Sequence, residues 1–450
     1  MSFQAGFARS DINPGLGTDL AGYFIERKTE GYLDDLEVNA LALKNGADFV
    51  VILSMDLCLI RGELFDAVRE GVARESGIPV SRLFLTCTHS HTAPIVSNDP
   101  SSSAEVQTYF PFLIERLADA AKLALADLKS AKTGYKVGTV PRISHCRRIL
   151  MKDGSIKTNP GVGNPDAIRE MSEVDERVNV LRIDQEGGYE IVIANYGNHP
   201  DSIGGCRTSA DYPGFFRRTF EAAIPNSRCI YLNGAEGDIN FIDVFAKGGD
   251  LNDTINDFDD VPRGYDHSRF IGESLAGAVL QVHRKGNWFE PTLSVAETAA
   301  ELPANVPTKE EAIEAHRIND LHLSGKDSEL PYRGMMLTTV VGEAARMVAL
   351  ENGPAMIPVR LSAITLGPVG IIGIAGEAFT GIGLKLKETP GFEMVMPVVI
   401  TNGYEGYYPM MDSYEEGGYE ARASRFKAGV AELLAEEGSK LLISTKGQID

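Results

Sequence analysis

Short apolar runs rich in β-branched residues alternate with longer amphipathic segments along most of the chain. The apolar runs predict buried strands, and the amphipathic segments predict helices. These elements do not follow a strict βαβ alternation, so neither a Rossmann fold nor a barrel of parallel strands is expected. We therefore predict an α/β fold in which layered, mixed β-sheets are surrounded by helices.

The predicted elements are spread over the whole chain. Asn45-Gly46 is predicted to turn a hairpin between strands at 38–44 and 48–55. Further strands are predicted at 82–87, 133–140, 176–183, 189–196, 228–232, 358–366, 368–375 and 395–401. Helices are predicted at 62–76, 104–129, 266–284, 308–324, 336–350 and 421–437.

Composition restricts the classes of partner. The chain has 450 residues, 43% of them hydrophobic, which is enough for a large buried core. Its formal net charge is −20, so it repels nucleic acid and anionic lipid surfaces. We expect a small-molecule substrate, and the acidic, helix-rich surface is compatible with a homo-oligomer.

The compartment is predicted from the N-terminus and the cysteines. The sequence starts without a basic run followed by an apolar core, and no stretch is apolar for long enough to span a bilayer. The five cysteines are odd in number and mostly lie in apolar runs, as reduced buried thiols do. These features favour the cytoplasm. Residues 241–262, rich in Gly, Asp and Asn, predict an irregular surface insertion.

The first chemical signal is a pair of histidines, His89 and His91, directly after the strand predicted at 82–87. On an extended backbone, residues i and i+2 point the same way, so both rings can face one cavity. Neutral imidazole is a common zinc ligand. The alternative is a pair of loop histidines that only form hydrogen bonds.

Other predicted strands end in further polar residues. His199 follows the strand at 189–196, small residues and acids occupy 233–240, and Glu377 follows the strand at 368–375. Glu377 is either a helix cap or an oxygen ligand for a metal. Segment 233–240 could equally be an ordinary tight turn. A cluster of tyrosines predicts a binding pocket or an interface: Tyr404, Tyr407, Tyr408, Tyr414 and Tyr419.

Taken in order, these segments resemble the catalytic domain of the neutral/alkaline ceramidase family. The resemblance extends from the N-terminal residues 6–12, 21–23 and 33–36 to about Tyr419. It implies one ceramidase-like catalytic domain over residues 1–450. Because the chain ends soon after the tyrosine cluster, we expect no C-terminal immunoglobulin-like domain.

The resemblance also implies a zinc site. In that family one Zn²⁺ is bound by the first histidine of a T-H-x-H-S/T motif, a second histidine, a glutamate and a tyrosine. Carried over, the implied ligands are His89, His199, Glu377 and Tyr407. The implied catalytic residues are His91, Tyr419, Asp238 and Arg147, the last chosen over Arg148. Gly22 and Asn240 are implied at the substrate side. Asp211 is also predicted there, and Asp211 and Asp238 are expected to orient His199 and His91 as hydrogen-bond acceptors.

One departure bears on the substrate. The family has a serine in its G-D-x-S-P-N segment where this chain has Asn240. We therefore expect a zinc hydrolase that cleaves the amide bond of a substrate smaller or more polar than ceramide. Three alternatives stay open: an ester or lactone hydrolase, a metal-assisted lyase acting on uronic acids or related sugars, and a non-catalytic binding protein that keeps a relict metal site.

Overall fold

The computed structural model describes residues 3–246, 255–256 and 262–447. Strands and helices alternate along this part of the chain without a strict βαβ order. The strands are β1 (Gln4–Asp11), β2 (Gly31–Tyr32), β3 (Glu37–Asn45), β4 (Asp48–Met55), β5 (Leu83–Cys87), β6 (Lys129–Thr139), β7 (His145–Cys146), β8 (Arg148–Met151), β9 (Ile156–Thr158), β10 (Ala167–Glu170), β11 (Arg177–Gln185), β12 (Glu190–Tyr196), β13 (Arg207–Thr208), β14 (Ser227–Asn233), β15 (Ile239–Asn240), β16 (Ile255–Asn256), β17 (Pro262–Arg263), β18 (Asn287–Phe289), β19 (Leu293–Pro303), β20 (Met356–Leu366), β21 (Val369–Ile374), β22 (Glu377–Ala378), β23 (Met394–Val398) and β24 (Tyr407–Tyr408). The helices are α1 (Gly62–Ser76), α2 (Ala104–Ala126), α3 (Asp211–Ala223), α4 (Tyr265–Val282), α5 (Lys309–Leu323), α6 (Gly334–Leu350), α7 (Thr380–Lys387), α8 (Met411–Glu416), α9 (Tyr419–Ala423) and α10 (Val430–Lys446).

Two mixed sheets form the centre of the fold. The larger sheet has the strand order β14-β12-β11-β6-β1-β3-β4-β5, with β18 beside β6. Only two residue pairs, Gln4 with Ser130 and Ala5 with Lys129, join β1 to β6, so the sheet consists of two half-sheets. The smaller sheet has the order β19-β20-β21-β23.

The two sheets pack face to face, because the central strands are apolar on both faces. In β4, Val50 and Ile52 belong to the core between the sheets, and Val51 and Leu53 belong to the core on the opposite face. Successive side chains of a strand point to opposite faces, so a strand of this sequence must lie between two layers.

Helices cover the outer faces of both sheets. Helices α1 and α2 pack on the half-sheet that contains β3 and β4, and α3 and α4 pack on the half-sheet that contains β11 and β14. Helices α7 and α10 cover the smaller sheet. The result is a layered α/β/β/α arrangement, which confirms the predicted fold class of mixed sheets surrounded by helices.

Two predicted regions, 421–437 and 241–262, do not each form one described element. The helix predicted at 421–437 is in fact the end of α9, a short connection and the first half of α10, because Gly429 has a positive φ of 93° and interrupts the helical period. Within the predicted insertion at 241–262, residues 247–254 and 257–261 lie outside the described residues, while β16 pairs with β17. The single-domain organisation stays a prediction.

Two further features concern the cysteines and the helices. All five cysteines are free, and all but Cys206 are buried, as the sequence predicts. In the described parts of the chain, none of the helices combines the length and the apolarity that a bilayer-spanning segment needs.

Candidate metal centre

The carboxyl ends of strands from both sheets meet at one place. The backbone N–H of Cys87, at the end of β5, donates to the carbonyl of Ile400, two residues beyond β23. The N–H of Val399 donates to the carbonyl of Asn233, the last residue of β14. Segments that are remote in sequence therefore leave their strands side by side, and the polar residues that follow these strands come together.

His89 does not have the extended backbone that the sequence predicts. Its φ is 78°, in the left-handed region that non-glycine residues rarely occupy. Two hydrogen bonds hold it there: its N–H donates to the carbonyl of Leu57, and its ring Nδ1 lies 2.8 Å from the carbonyl oxygen of Cys58. Because Nδ1–H must be the donor to that carbonyl, the lone pair of His89 is on Nε2.

Three imidazole nitrogens converge at this point. His89 Nε2 lies 3.1 Å from His199 Nε2 and 3.2 Å from His91 Nε2. Zinc bound tetrahedrally by nitrogens at about 2.0–2.1 Å holds its ligand atoms about 3.3 Å apart. The spacing of His89 and His199 therefore fits two ligands of a single cation.

Glu377 approaches the same point from the smaller sheet. Its Oε1 accepts a hydrogen bond of 2.6 Å from the Tyr404 hydroxyl. Its Oε2 is buried, makes no hydrogen bond within the described residues, and lies 3.7 Å from His89 Nε2. A buried carboxylate oxygen without a donor is costly unless a cation compensates it. The donor set of two imidazoles and a carboxylate therefore fits a zinc ion.

Tyr407 is brought beside Glu377 by strand pairing. In the parallel pair β22–β24, Glu377 is in register with Tyr407, so both side chains leave the same side of this small sheet. Burial, together with the negative charge of Glu377, raises the pKa of Tyr407 well above its ordinary value. A phenolate at this position therefore needs a nearby cation. The Tyr419 ring packs against Tyr407 with centroids 5.6 Å apart.

Glu236 is a member of the cluster that the sequence analysis missed. It lies in the turn after β14, is fully buried, and its carboxylate contacts Nδ1 of His199. Candidate ligand atoms of Glu236, Glu377, His89 and His199 all lie within 4.8 Å of one another. Burial raises the pKa of Glu236 well above its ordinary value.

A second group of potential metal ligands consists of Cys58, His89 and His91. It adjoins the first group and shares His89 with it. The thiol of Cys58 is buried, and burial together with the negative charge of Glu377 raises its pKa well above the ordinary value. A neutral thiol is a weak metal ligand. The group that contains both carboxylates is therefore the better candidate for a cation.

Arg147 brings a positive charge to this acidic cluster. Its Nε donates to Glu420 at 2.7 Å, one terminal nitrogen donates to the carbonyl of Gly237 at 2.8 Å, and the other lies 3.4 Å from His199 Nδ1. Burial and this guanidinium hold the pKa of His199 well below its ordinary value. His199 is therefore neutral, as a metal ligand must be. The neighbouring Arg148 points away and pairs with Glu416.

His89, His91, His199, Glu377 and Tyr407 line a cavity of about 210 Å³. Gly22 forms part of its wall and has a φ of 99°; a Cβ there would lie 2.6 Å from the Cα of His91. Only glycine fits at this position without displacing His91. The cavity is lined by Gly22, Tyr23, Phe24, Cys58, Leu59, Arg61, His89, His91, Arg147, Thr158, Asn159, His199, Asp201, Met335, Glu377, Tyr404, Tyr407 and Tyr419.

The structure does not bring Asp211 or Asp238 to the histidines that they were expected to orient. Asp211 begins α3 and accepts hydrogen bonds from Ser202 and Ser268. Asp238 accepts hydrogen bonds from Thr380 and Ser172. Both carboxylates are satisfied by hydroxyl groups and backbone N–H groups, so neither is available to an imidazole.

Asn240 does not line the cavity either. Its side chain is fully buried and donates a hydrogen bond of 3.0 Å to Asn159, which does line the cavity. The position that carries serine in the family pattern therefore contacts the cavity wall through Asn159.

The fold places a cavity at the carboxyl ends of strands from two packed sheets. Its wall carries imidazole and carboxylate groups of the kind that bind metal ions. The chain is similar in structure to solved ceramidases. Over 100% of this chain and 75% of the other, the structure matches the neutral ceramidase of Pseudomonas aeruginosa with a TM-score of 0.72 and 15% identity. A ceramidase complexed with C2 matches with a TM-score of 0.73 and 15% identity, over 100% of this chain and 76% of the other.

At this level of identity, the comparison shows the fold. The chain has the neutral ceramidase fold, as the sequence motifs imply, and it spans about three quarters of the length of these structures. No family model and no curated protein matches the sequence.

Proposed function

We propose that this protein is a zinc-dependent hydrolase that cleaves the amide bond of a small, polar substrate. The proposed ligands are His89, His199, Glu377 and Tyr407. The observation that carries the proposal is the convergence of two imidazole Nε2 atoms and an unpaired carboxylate oxygen, at spacings that suit one cation, on the wall of a cavity. The neutral ceramidase fold supports amide hydrolysis, because a ceramidase acts on the amide ceramide.

Zinc with an open coordination position activates water and polarises a carbonyl group. In this proposal His91 is the proton carrier. Its Nε2 is 3.2 Å from His89 Nε2, and its ring lines the cavity, so it reaches both the attacking water and the substrate. His91 takes the proton of the water and passes it to the leaving amine.

The negative charge that develops on the carbonyl oxygen needs hydrogen-bond donors. Tyr419 lines the cavity, and burial raises the pKa of its hydroxyl, so it remains a donor at neutral pH. Arg147 adds its positive charge. Because Glu420 and Gly237 accept from two of its nitrogens and the third lies against the His199 ring, Arg147 acts mainly through its positive charge.

The position of Arg61 supports a substrate that carries a negative charge. It lies at the exposed rim of the cavity, and its guanidinium has no carboxylate partner within the described residues. Planar guanidinium groups bind carboxylates through two parallel hydrogen bonds. The small volume of the cavity and this cation together favour a short N-acyl amine with an anionic group, such as an N-acyl amino acid.

The proposal is tested by metal analysis and turnover on the same preparations. Wild-type protein loaded with zinc is expected to retain about one zinc per chain and to hydrolyse short N-acyl amino acids. His89→Ala is expected to lose both zinc and turnover. His316→Ala, which changes an exposed histidine paired with Glu351, is the matched control and is expected to lose neither.

Other outcomes identify other chemistry. Turnover of esters or lactones alone changes the bond cleaved but keeps the same residues. Formation of an unsaturated product that absorbs in the ultraviolet from uronides identifies a lyase. Tight zinc without any turnover identifies a binding protein. Wild-type protein that binds no zinc overturns the proposal.

A further inference from the structure

Glu236 is a buried carboxylate without hydrogen bonds. The residue is fully buried, and neither of its oxygens finds a hydrogen-bond donor of acceptable geometry within the described residues. Its close contact is with Nδ1 of His199. An acid in such a place lowers stability unless a partner compensates its charge, so the contact with His199 needs an explanation.

Glu236 lies on the side of His199 that faces away from the cavity. His199 lines the cavity, and Glu236 does not. The two nitrogens of the His199 ring face different groups: Nε2 faces His89 Nε2 at 3.1 Å, and Nδ1 faces Glu236 and a terminal nitrogen of Arg147 at 3.4 Å. Glu236 therefore lies behind the ring, where substrate has no access to it.

We propose that Glu236 is a positioning residue that accepts the Nδ1–H of His199 and thereby directs the lone pair on Nε2 to the metal. This inference rests on the zinc site of the proposed function. A carboxylate behind a histidine fixes the tautomer and the orientation of the ring and increases its basicity, and loss of such a partner typically costs about 10- to 100-fold in metal affinity.

The other imidazole at the site provides an internal comparison. Nδ1 of His89 faces the backbone carbonyl of Cys58 at 2.8 Å, whereas Nδ1 of His199 contacts the carboxylate of Glu236. A backbone carbonyl cannot be removed by substitution, and a carboxylate can. The Glu236 carboxylate is therefore the replaceable acceptor beside His199 Nδ1, whose surroundings also include the Glu236 backbone and Arg147.

The positioning role and a purely structural role predict different changes in the metal-free protein. Neither oxygen of Glu236 makes a hydrogen bond in the described residues, so glutamine at this position removes no bond from the metal-free fold. Glu236→Gln is therefore expected to leave the melting temperature of the metal-free protein unchanged. If Glu236 instead stabilised the fold through its contact with His199, the melting temperature would fall with or without metal.

The chain offers a matched control at the other end of strand β12. There Glu190 lies 3.4 Å from His283 Nε2 and 2.8 Å from Arg182, which makes a carboxylate–histidine contact outside the metal cluster. Glu190→Gln is expected to lower the melting temperature and to change the dissociation constant of zinc by less than about twofold, since no ligand depends on it.

The experiment measures zinc dissociation constants by competition with a chromophoric chelator, and melting temperatures with and without zinc, for wild type, Glu236→Gln and Glu190→Gln. The expected result is zinc affinity that is about 10- to 100-fold weaker in Glu236→Gln only. Equal affinity in wild type and Glu236→Gln overturns the positioning role and leaves the zinc enzyme intact. A wild-type protein without zinc affinity overturns the proposed function as well.

Two further readouts keep the inference testable if Glu236→Gln folds poorly. Nitrogen-15 NMR of the histidines in zinc-loaded wild type is expected to show the Nδ1–H tautomer for His199, and the opposite tautomer overturns the inference. In cobalt-substituted protein, Glu236→Asp is expected to keep the visible absorption intensity of wild type. A change of intensity means that Glu236 is itself a ligand and also overturns the positioning role.

Discussion

Two fully buried acidic regions of this protein differ in how their charge is compensated. Asp56 accepts hydrogen bonds from Arg217 at 2.9 and 2.5 Å, from the Thr88 hydroxyl at 3.3 Å and from the backbone N–H of Glu37 at 2.9 Å. Both of its oxygens are satisfied by the protein itself. Such a pair is complete without any ligand, so its role is to fix the packing of the half-sheets.

The acids of the candidate metal centre are not complete. Glu377 has one oxygen and Glu236 has two oxygens without a hydrogen-bond donor in the described residues. Both regions are buried to the same extent, so burial alone does not separate structural from functional acids. The difference teaches that hydrogen-bond partners, not burial, separate the two regions, and that a cation beside the histidines would compensate the unpaired oxygens of the second region.

The largest expected effect is the loss of turnover when the candidate metal centre, not the Asp56 region, is changed. Glu377→Gln keeps the shape of the side chain but removes the ligand charge. It is expected to reduce turnover on the order of 10³-fold and zinc content to near zero, with little change in the stability of the metal-free protein. Retention of zinc and turnover by this variant would show that the unpaired oxygen of Glu377 does not mark a metal site.

Asp56→Asn should produce the converse result. Leaving Arg217 buried without its carboxylate is expected to lower the free energy of unfolding by about 3–5 kcal/mol. The fraction that remains folded is expected to bind zinc as wild type does. Urea unfolding and metal analysis on the same sample check both parts. Loss of zinc at unchanged stability would contradict the distinction between the regions.

Metal removal tests the same distinction in the wild-type protein. Zinc added to the metal-free protein at a free concentration 100 times its dissociation constant is expected to increase the free energy of unfolding by about 2.7 kcal/mol. His89→Ala is expected to show no such increase. Differential scanning calorimetry measures the change, and equal stabilisation of both proteins would place the bound zinc elsewhere.

A smaller effect is expected at the wall of the cavity. Gly22→Ala places a methyl group against His91, whose displacement by about 1 Å is expected to reduce turnover up to about 10²-fold. Zinc content should stay at the wild-type level, because His89, His199 and Glu377 are not displaced. Measurement of kcat together with metal content distinguishes this outcome from loss of the metal.

The smallest expected effect concerns substrate selection. Arg61→Ala is expected to raise the KM for an N-acyl amino acid by about 10-fold, since one charge-assisted pair is lost. For the matched N-acyl amine without a carboxylate, KM is expected to stay within about twofold of wild type. The same increase for both substrates would show that Arg61 does not bind the anionic group.

Much of the fold was predictable because its strands are strongly apolar and bounded by turn residues. The hairpin of β3 and β4 and the helix α1 were predicted to within about two residues. Helix α3 was missed, because Pro213 and Gly214 near its start weaken the helical pattern. Strand β19 was also missed, since several of its residues are exposed and polar and do not form an apolar run.

The candidate site was predictable only in part. His89, His199 and Glu377 stand out because each follows an apolar strand, and the structure brings all three together. Glu236 could not be recognised in the same way, since an acid in a turn of small residues is normally solvated. Its partner His199 follows another strand, β12, and the parallel pairing of β12 with β14 brings the two together.

Anomalous diffraction at the zinc edge from crystals of the zinc-loaded protein tests the central claim most directly. We expect one strong peak at about 2.0–2.2 Å from His89 Nε2, His199 Nε2 and Glu377 Oε2. A zinc-loaded crystal without a peak among these three atoms, or with its peak elsewhere in the molecule, would contradict the account.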